Sequence, residues 1–405
     1  MNILYLNSRL PHALGNALDA RQFGLLSNSA CHHRITAVIL SQEKIQPPLT
    51  QLQKFCDSYY QIQHKRNFFP FTLHSFPRYR RHKINIDYKT LRRTVRRILQ
   101  EKPVDLIHCG HASLMKALPR EKEVPVLLQL DSLSPELLIM QLAQPKAGSS
   151  VYTFDMLHGA RNQIRNACEK ADHIIVPAQS IGDQVIAFRT KATVSIVPPG
   201  VDTSYYVNNG SVNADKTIVL PGVLNQQEDR DAILHFIRQM WGQLHRRDPE
   251  LRLFIVGNES SDEILWLNRL KNIYVATDVK DPRQIVREAT AVIFPHQRCE
   301  VVHSHVLEAM AQSKAVVATP NAAAGLKVVD GQNIILAASV EAFAEKIIVI
   351  TNDAFQRRMI SVQARALVEA FHSWEVVSQS LLDAYREVAS LGKYIKGKSP
   401  LLEFL

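Results

Sequence analysis

Two glutamates, Glu300 and Glu308, stand eight positions apart in the stretch CEVVHSHVLEAM (299–310). The apolar run AVIFP (291–295) predicts a buried strand before them, and VLEAMAQS predicts a helix after the loop that holds Glu300. Glu300 should therefore lie at the carboxyl end of a strand, and Glu308 in the first turns of the next helix. Carboxylates accept hydrogen bonds from hydroxyl groups, which sugars and ribose supply, and a helix N-terminus suits a diphosphate. The arrangement predicts a site with one glutamate for each of two sugars and the diphosphate between them.

A structural interpretation of the same residues stays open. Glutamate is common and stabilises a helix near its start, so the spacing alone establishes no site. Asp229 and Asp231 form a D-x-D sequence of the kind that can hold a divalent metal, but at the start of a predicted helix aspartate is expected as a cap. Cys299 has no base at a fixed spacing, so we interpret it as a small buried residue rather than a nucleophile. We predict no metal site.

The elements that must position these residues are short apolar runs alternating with amphipathic segments. Such alternation is typical of a parallel sheet covered by helices on both faces. In the first half, strands are predicted at 2–6, 35–40, 105–109, 125–130 and 173–177, and helices at 17–29, 88–101 and 154–170. In the second half, strands are predicted at 217–222, 251–257, 272–276, 291–295 and 315–319, and helices near 230–247, 282–289, 304–313, 340–350 and 354–370.

The restart of this pattern predicts an α/β protein with two Rossmann-like, doubly wound domains facing a cleft. One hydrophobic core rarely exceeds about 250–300 residues, so a chain of 405 residues favours two domains. We predict a first domain over 1–185 and a second over 186–373, with the hinge within 180–215. A final helix is predicted within the remaining segment, 374–405.

Composition and cysteine usage are those of an intracellular globular protein. The chain is 46% hydrophobic and 21% charged, which excludes a disordered class. Its five cysteines are widely spaced, which argues against a disulfide framework or a zinc site. The N-terminal sequence lacks the regions of a signal peptide, and no apolar run is long enough to span a membrane. We therefore expect a cytoplasmic location.

The positive charge of the chain is concentrated in one region. Residues 65–102 hold twelve Lys and Arg against Asp87 and Glu101, so this region alone carries the net +10 of the whole sequence. A helix over 88–100 would place its apolar residues on one face and its basic residues on the others, while 65–83 interleaves basic residues with aromatic ones. Seven arginines of this region are predicted to form a membrane patch: Arg78, Arg80, Arg81, Arg92, Arg93, Arg96 and Arg97. The pattern favours an anionic membrane surface, with a solvated helix as the alternative; no motif for nucleic acid accompanies it.

Several motifs occur in a fixed order in the second half. The E-x7-E pair is followed by EAMA and the strand AVVAT, and it is preceded by VPPGVD (197–202), by Gly222 at the end of TIVLPG and by FIVGN (254–258). The stretch FHSWEVVSQSLLDAYREV (371–388) closes the set. Together these motifs resemble family 4 glycosyltransferases (glycosyl transferases group 1), which have the GT-B fold. Within that family the sequence is most similar to sugar transferases of bacterial exopolysaccharide clusters.

The resemblance implies roles for particular residues. Glu308 would bind the ribose hydroxyls of a nucleotide and Glu300 the hydroxyls of the donor sugar, with Glu300 also at the catalytic centre. Gly222 would lie at the donor site, and the closing helix would cross back to the first domain. The family retains anomeric configuration without a metal or a protein nucleophile, so the protein's main task would be to stabilise charge on the diphosphate.

Three departures from the family pattern affect the donor site. The family usually has glycines after the first glutamate, where this chain has Val301, Val302 and His303. The Arg and Lys that usually follow the strand ending at Gly222 are absent, and the nearest substitutes are Arg298 and Arg230, for which a plain surface position stays open. The glycine that usually ends the following helix is replaced by Ser313.

The first domain offers a smaller set of candidates. His108 and His111 stand at the end of the strand DLIHC, on the side where an acceptor is expected. Asp131 ends PVLLQL, where many members of the family carry a histidine, and is our candidate for a catalytic residue that orients acceptor or donor; a cap or loop role stays open. Gly15, in the loop after the first strand, is a candidate for donor contact.

We conclude from the sequence that the chain resembles a retaining, metal-independent hexosyltransferase. It would move a sugar from a nucleotide-diphosphate sugar to a cell-surface glycan or lipid-linked acceptor at the inner face of the cell membrane. No cofactor other than this donor substrate and no nucleic acid partner is expected. The acceptor would lie on the first domain and the nucleotide sugar on the second. Two alternatives stay open: an inactive GT-B scaffold that docks on a membrane or partner, and an epimerase or hydrolase of nucleotide sugars.

Overall fold

The structure, a computed structural model, consists of two compact units. One unit comprises Met1–Val197 and Ser378–Leu405, and the other comprises Pro198–Val377. The residues that the structure describes are 1–8, 11, 17–41, 50–63, 87–119, 124–135, 154–208, 216–224, 227–257, 260–277, 279, 281–297 and 304–396.

The described part of the first unit is a parallel sheet with helices. Its strands are β1 (Asn2–Asn7), β2 (Arg34–Ser41), β3 (Ser58–Gln63), β4 (Leu106–Cys109), β5 (Val126–Gln129), β6 (His173–Val176) and β7 (Thr193–Ile196). Its helices are α1 (Ala17–Ala30), α2 (Thr50–Phe55), α3 (Tyr88–Glu101), α4 (Phe154–Lys170) and α5 (Gln179–Ala187), with a 3-10 helix at Ala112–Ala117. The strand order is β3-β2-β1-β4-β5-β6-β7. Because β7 pairs with β6, the first sheet continues to Ile196.

The second unit repeats this architecture. Its strands are β8 (Thr217–Pro221), β9 (Arg252–Gly257), β10 (Ile273–Thr277), β11 (Ala291–Phe294), β12 (Val316–Ala318) and β13 (Ile335–Leu336), in the order β10-β9-β8-β11-β12-β13. Its first helices are α6 (Gln227–Phe236), α7 (Gly242–Arg247), α8 (Asp262–Trp266) and α9 (Pro282–Glu288). The later helices are α10 (Ser304–Ala311), α11 (Val340–Asn352), α12 (Ala354–Phe371) and α13 (Trp374–Lys396). A π-helical segment, Ile237–Trp241, joins α6 to α7, and a 3-10 turn, Leu267–Arg269, follows α8.

The predicted fold class, two doubly wound parallel α/β domains, is confirmed. The ten predicted strands are all present, each within about one residue of its predicted ends, because the apolar runs of most of them are buried in the core. Both sheets have the strand order of the Rossmann fold, and in each the order reverses once, between β1 and β4 and between β8 and β11. Sheets of this kind bind ligands beyond the carboxyl ends of the strands at that reversal.

Helix α3 confirms the predicted amphipathic segment. The side chain of Asp87 caps it by accepting a hydrogen bond from the Thr90 backbone N–H. Leu91, Val95 and Ile98 are buried against the first sheet, while basic residues occupy the outer side. We call its four exposed arginines the basic face: Arg92, Arg93, Arg96 and Arg97.

Two of the sequence motifs contact each other within the second unit. The turn VPPGVD lies against the stretch that opens α13: the Val201 N–H donates to the His372 carbonyl at 2.8 Å, and His372 Nδ1 lies 2.9 Å from the Pro199 carbonyl oxygen. The ring of Trp374 covers Gly200 so closely that a Cβ there would lie 2.4 Å from a ring carbon. Glycine is therefore required at this position. From Ser378 onward α13 belongs to the first unit.

The turn that ends α10 uses a left-handed residue. Ser313 has φ +53°, a conformation that glycine adopts without cost and that other residues adopt rarely. Its backbone N–H donates to the Met310 carbonyl, and the next N–H, of Lys314, donates to Ala309. The serine noted in the sequence in place of a helix-ending glycine thus performs the same turn.

Candidate functional site

Glu308 lies on α10, beyond the carboxyl end of β11, where the second sheet reverses its strand order. Its side chain is 21% exposed, and its Oε2 lies 2.9 Å from Nδ1 of His305. The Tyr206 phenol and the Ser304 hydroxyl also hydrogen-bond to this carboxylate. Glu308 is thus fixed in orientation by three neighbours while part of its side chain still reaches solvent.

Glu308 and His305 form an ion pair. Burial alone would lower the pKa of His305, but the Glu308 carboxylate, by its charge and its hydrogen bond, raises that pKa to about 9, with a smaller contribution from Asp229. Burial alone would likewise raise the pKa of Glu308, but the charge of His305 and the hydrogen bonds from His305 and Tyr206 lower it. At neutral pH the imidazole is therefore a cation and the carboxyl an anion.

Tyr206 is held by a clamped turn that follows VPPGVD. The carboxylate of Asp202 closes this turn by accepting from the N–H groups of Ser204 and Tyr205. The guanidinium of Arg283 stacks 3.5 Å from the ring centroid of Tyr205 and donates to the Tyr205 carbonyl. Arg365 donates to the carbonyls of Thr203, Tyr206 and Ala311, which ties the turn to the end of α10. The turn thereby fixes the phenol that reaches Glu308.

The first aspartate of the D-x-D sequence, Asp229, hydrogen-bonds to the backbone just after β8. Asp229 is buried; its Oδ2 accepts the Val223 N–H at 2.6 Å, and its Oδ1 lies 2.8 Å from Nε2 of His296. Gly222 packs directly against this carboxylate, since a Cβ there would lie 3.0 Å from Oδ2. Asp229 therefore links the end of β8 to His296, in the segment that follows β11. Asp231 is exposed and Arg230 is half-buried on α6.

Asp131 lies in a buried hydrogen-bond network of the first unit. Its Oδ1 accepts from Nε of Arg21 at 2.7 Å, and both of its oxygens accept from the amide of Gln129. The side-chain oxygen Oε1 of Gln129 lies 3.1 Å from Nε2 of His108, whose Nδ1 lies 2.6 Å from the Tyr385 hydroxyl on α13. Asp131 and His108, two of the predicted residues, are therefore joined through Gln129.

Burial within this network keeps His108 uncharged at neutral pH. Burial lowers the pKa of His108 to about 4, the Gln129 hydrogen bond opposes that shift, and the charge of Arg21 adds to it. Arg21 is itself buried and donates a further hydrogen bond to the Val197 carbonyl, at the end of the first unit. His111 is outside this chain of contacts; it caps the 3-10 helix through Ser113, with Nδ1 2.7 Å from the serine hydroxyl.

The sequence did not identify Arg21 or Tyr206 as candidate site residues. Arg21 stands 110 positions from Asp131 in an ordinary amphipathic helix, so no local pattern marks it. Tyr206 follows VPPGVD within DTSYY, and its proximity to that motif was the available signal. Several predicted residues lie outside the described part of the chain: Gly15, Arg78, Arg80, Arg81, Arg298, Glu300, Val301, Val302 and His303.

Among the described residues, no group of three or more His, Cys, Asp or Glu side chains is arranged to hold a metal ion. Within the same part of the chain, every helix is too short or too polar to cross a bilayer.

Two family models match the chain. The model described as "Glycosyltransferase Family 4" matches residues 55–205, and the model described as "Glycosyl transferases group 1" matches residues 215–353. The two matches fall on successive parts of the sequence, one before and one after residues 206–214. No curated protein sequence matches the chain.

Solved structures share the fold over nearly the whole chain. Sucrose-phosphate synthase from Thermosynechococcus elongatus has a TM-score of 0.71 at 16% identity, covering 96% of this chain and 100% of its own. A glycosyltransferase from Rickettsia africae has a TM-score of 0.67 at 13% identity, covering 96% and 98%. The Anabaena protein HepE, solved with UDP and glucose, has a TM-score of 0.66 at 15% identity, covering 95% and 99%. At such identities the likeness establishes a common fold.

Proposed function

We propose that this chain, which belongs to the group 1 glycosyltransferases of family 4, transfers a sugar from a nucleotide-diphosphate sugar to a glycan or lipid-linked acceptor. The observation that carries the proposal is the Glu308 carboxylate, held by His305, Tyr206 and Ser304 beyond the strand-order reversal of the second sheet. A fixed, ionised carboxylate is a suitable acceptor for the two hydroxyls of a ribose. HepE, which shares the fold, has been solved with UDP and with UDP-glucose, which supports a nucleotide sugar as the donor class.

We propose that the reaction retains the configuration of the donor sugar and needs no metal. The leaving diphosphate would itself help to take the proton from the acceptor hydroxyl. The protein would then act by stabilising the charge that develops on the diphosphate, through donors fixed before the reaction. Glu300 would bind hydroxyls of the sugar, as the family pattern implies.

In the first unit we assign Asp131 to ordering the buried network. Its oxygens accept from Arg21 and Gln129, and Gln129 in turn meets His108. A neutral imidazole and a carboxylate paired with Arg21 would then orient an acceptor by hydrogen bonds near the carboxyl ends of β4 and β5.

The basic face suggests where the acceptor comes from. Its four arginines are exposed on α3, and two neighbouring contacts keep the helix surface ordered: Arg92 donates to the Lys116 carbonyl, and the Arg97 guanidinium lies 5.6 Å from the centroid of the Tyr60 ring. Each arginine near an anionic bilayer contributes about 1 kcal/mol of attraction. We propose that the enzyme works at the cytoplasmic face of the cell membrane on a lipid-linked acceptor of surface-glycan synthesis.

The direct test is release of nucleoside diphosphate from a panel of UDP- and GDP-sugars, with and without lipid-linked oligosaccharide acceptors and with EDTA present. Release that requires the acceptor supports the proposal, and retention is read from the anomeric coupling in proton NMR of the product. Release without any acceptor would instead indicate a hydrolase, and interconversion of the donor sugars an epimerase. Binding to anionic vesicles with no nucleotide binding would indicate an inactive scaffold.

A further inference from the structure

The imidazole of His305 has two different environments at its two nitrogens. Nδ1 lies 2.9 Å from the Glu308 carboxylate, which fixes the plane of the ring. Nε2 is buried and makes no hydrogen bond with any residue that the structure describes. A buried N–H without an acceptor costs free energy, so this nitrogen is suited to a ligand that supplies one.

Four other basic side chains of the second unit already have hydrogen-bond partners. Arg283 is paired with Asp281 through two bonds of 2.7 Å and donates to the Tyr205 carbonyl. Arg365 donates to three backbone carbonyls and to Glu369. His296 is bound to Asp229, and Lys314 donates to the carbonyls of Arg287 and Ala289. In the described part of this neighbourhood, His305 is a cation whose Nε2–H has no hydrogen-bond partner.

The charge of His305 depends on the groups that face it. Glu308 on its own helix and Asp229 on α6 both raise the pKa of the imidazole, against the effect of burial. Tyr206 faces the pair through its hydrogen bond to Glu308, and His296 stands on the far side of Asp229. The ring is therefore charged at neutral pH, with Nε2 as an N–H donor.

We propose that Nε2–H of His305 donates to the diphosphate of the nucleotide sugar while Nδ1–H holds Glu308 for the ribose. This assignment rests on the proposed function, since it presupposes a nucleotide at Glu308. One imidazolium would then connect the two halves of the nucleotide: the carboxylate fixes the ring, and the ring presents its charge to the phosphates. An imidazolium has donors only, which selects an anion over a hydroxyl donor at this nitrogen.

The test separates the phosphate contact from a structural role by comparing nucleosides with nucleotides. Calorimetry with uridine, UDP, guanosine and GDP is carried out on the wild type, His305→Gln and His305→Lys. His32→Gln, an exposed histidine of the first unit, is the matched control. A lost charge-assisted hydrogen bond should weaken binding of the nucleoside diphosphate by roughly 10- to 100-fold in His305→Gln. Binding of the matching nucleoside, which depends on His305 only through its support of Glu308, should weaken clearly less than that of the nucleoside diphosphate, and His305→Lys should recover part of the difference.

Each other outcome overturns the assignment. An equal loss for nucleoside and nucleotide would mean that His305 only supports Glu308. No loss for either would mean that His305 does not contact the ligand; in both cases the wild type still binds and the proposed function stands. A wild type that binds neither UDP nor GDP would overturn the proposed function together with this inference. Circular dichroism of each variant checks that it is folded.

Discussion

The ion pair between Arg21 and Asp131 allows a quantitative prediction. The two side chains are 6% and 7% exposed, and Nε of the arginine lies 2.7 Å from Oδ1 of the aspartate. Removal of one partner from a buried pair leaves a buried charge unpaired, which costs about 3–5 kcal/mol. Arg21→Met also removes a donor to the Val197 carbonyl, so we expect a loss in the upper part of that range.

The assay must report on the first unit separately. The three tryptophans, Trp241, Trp266 and Trp374, all lie in the second unit, so their fluorescence follows that unit during urea unfolding. Circular dichroism follows both units, and hydrogen exchange of peptides that contain β4 and β5 follows the network itself. In Arg21→Met the exchange protection of these peptides should fall by about 1,000-fold or more, which corresponds to about 4 kcal/mol.

A matched control separates burial from charge. The pair between Arg238 and Glu263 joins the same residue classes at 3.5 Å, but its side chains are 66% and 52% exposed. Arg238→Met should therefore change the free energy of unfolding by less than about 1 kcal/mol. If Arg21→Met cost no more than Arg238→Met, the claim that a buried network orders the first unit would be wrong.

Three further predictions concern the ion pair of α10, the covered glycine and the basic face. Folding raises the pKa of His305 from 6.5 to about 9, so the stability that its charge contributes is complete below pH 6.5 and is lost as the pH rises through 9. Urea unfolding followed by tryptophan fluorescence should show this fall in the free energy of unfolding in the wild type and not in His305→Gln. Equal pH dependence in both proteins would contradict the ion pair. Gly200→Ala places a methyl group against Trp374 and should destabilise the second unit by about 1–3 kcal/mol. Gly159→Ala, in α4 at a position where a Cβ meets no atom within 4 Å, should be neutral or stabilising. The same shift in melting temperature for both variants would refute the close contact. Replacing the four arginines of the basic face by glutamine should weaken sedimentation with anionic vesicles and leave the low affinity for uncharged vesicles unchanged, and unaltered binding would remove the case for this surface.

The sequence allowed the prediction of those strands whose residues form continuous apolar runs. Three strands were missed: β3 (SYYQIQ), β7 (TVSI) and β13 (IL). Each lies at an edge of its sheet, and β7 is only partly buried, so its residues carry no continuous apolar signal. The helix expected over 230–247 begins at Gln227 and contains the π-helical segment, a backbone detail that side-chain periodicity does not encode.

The candidate site was only partly accessible to sequence reasoning. Glu308 could be placed because a strand, a loop and a helix follow one another locally. Arg21 could not, since its contact with Asp131 joins residues that only the sheet topology brings together. The sequence suggests Asp229 as a helix cap, but the residue lies within the first turn of α6, and its carboxylate instead accepts from the Val223 N–H and meets His296, across the strand-order reversal.

The proposed function requires that the nucleotide binds at the Glu308 carboxylate. The measurement that tests this most directly is calorimetric titration of UDP and GDP into the wild type and Glu308→Gln. We predict saturable binding of one of them, weakened at least tenfold in the variant, about 1.4 kcal/mol, because the amide is uncharged and offers one acceptor oxygen in place of two. Unchanged affinity in Glu308→Gln would contradict the site, and absence of binding in the wild type would contradict the donor class.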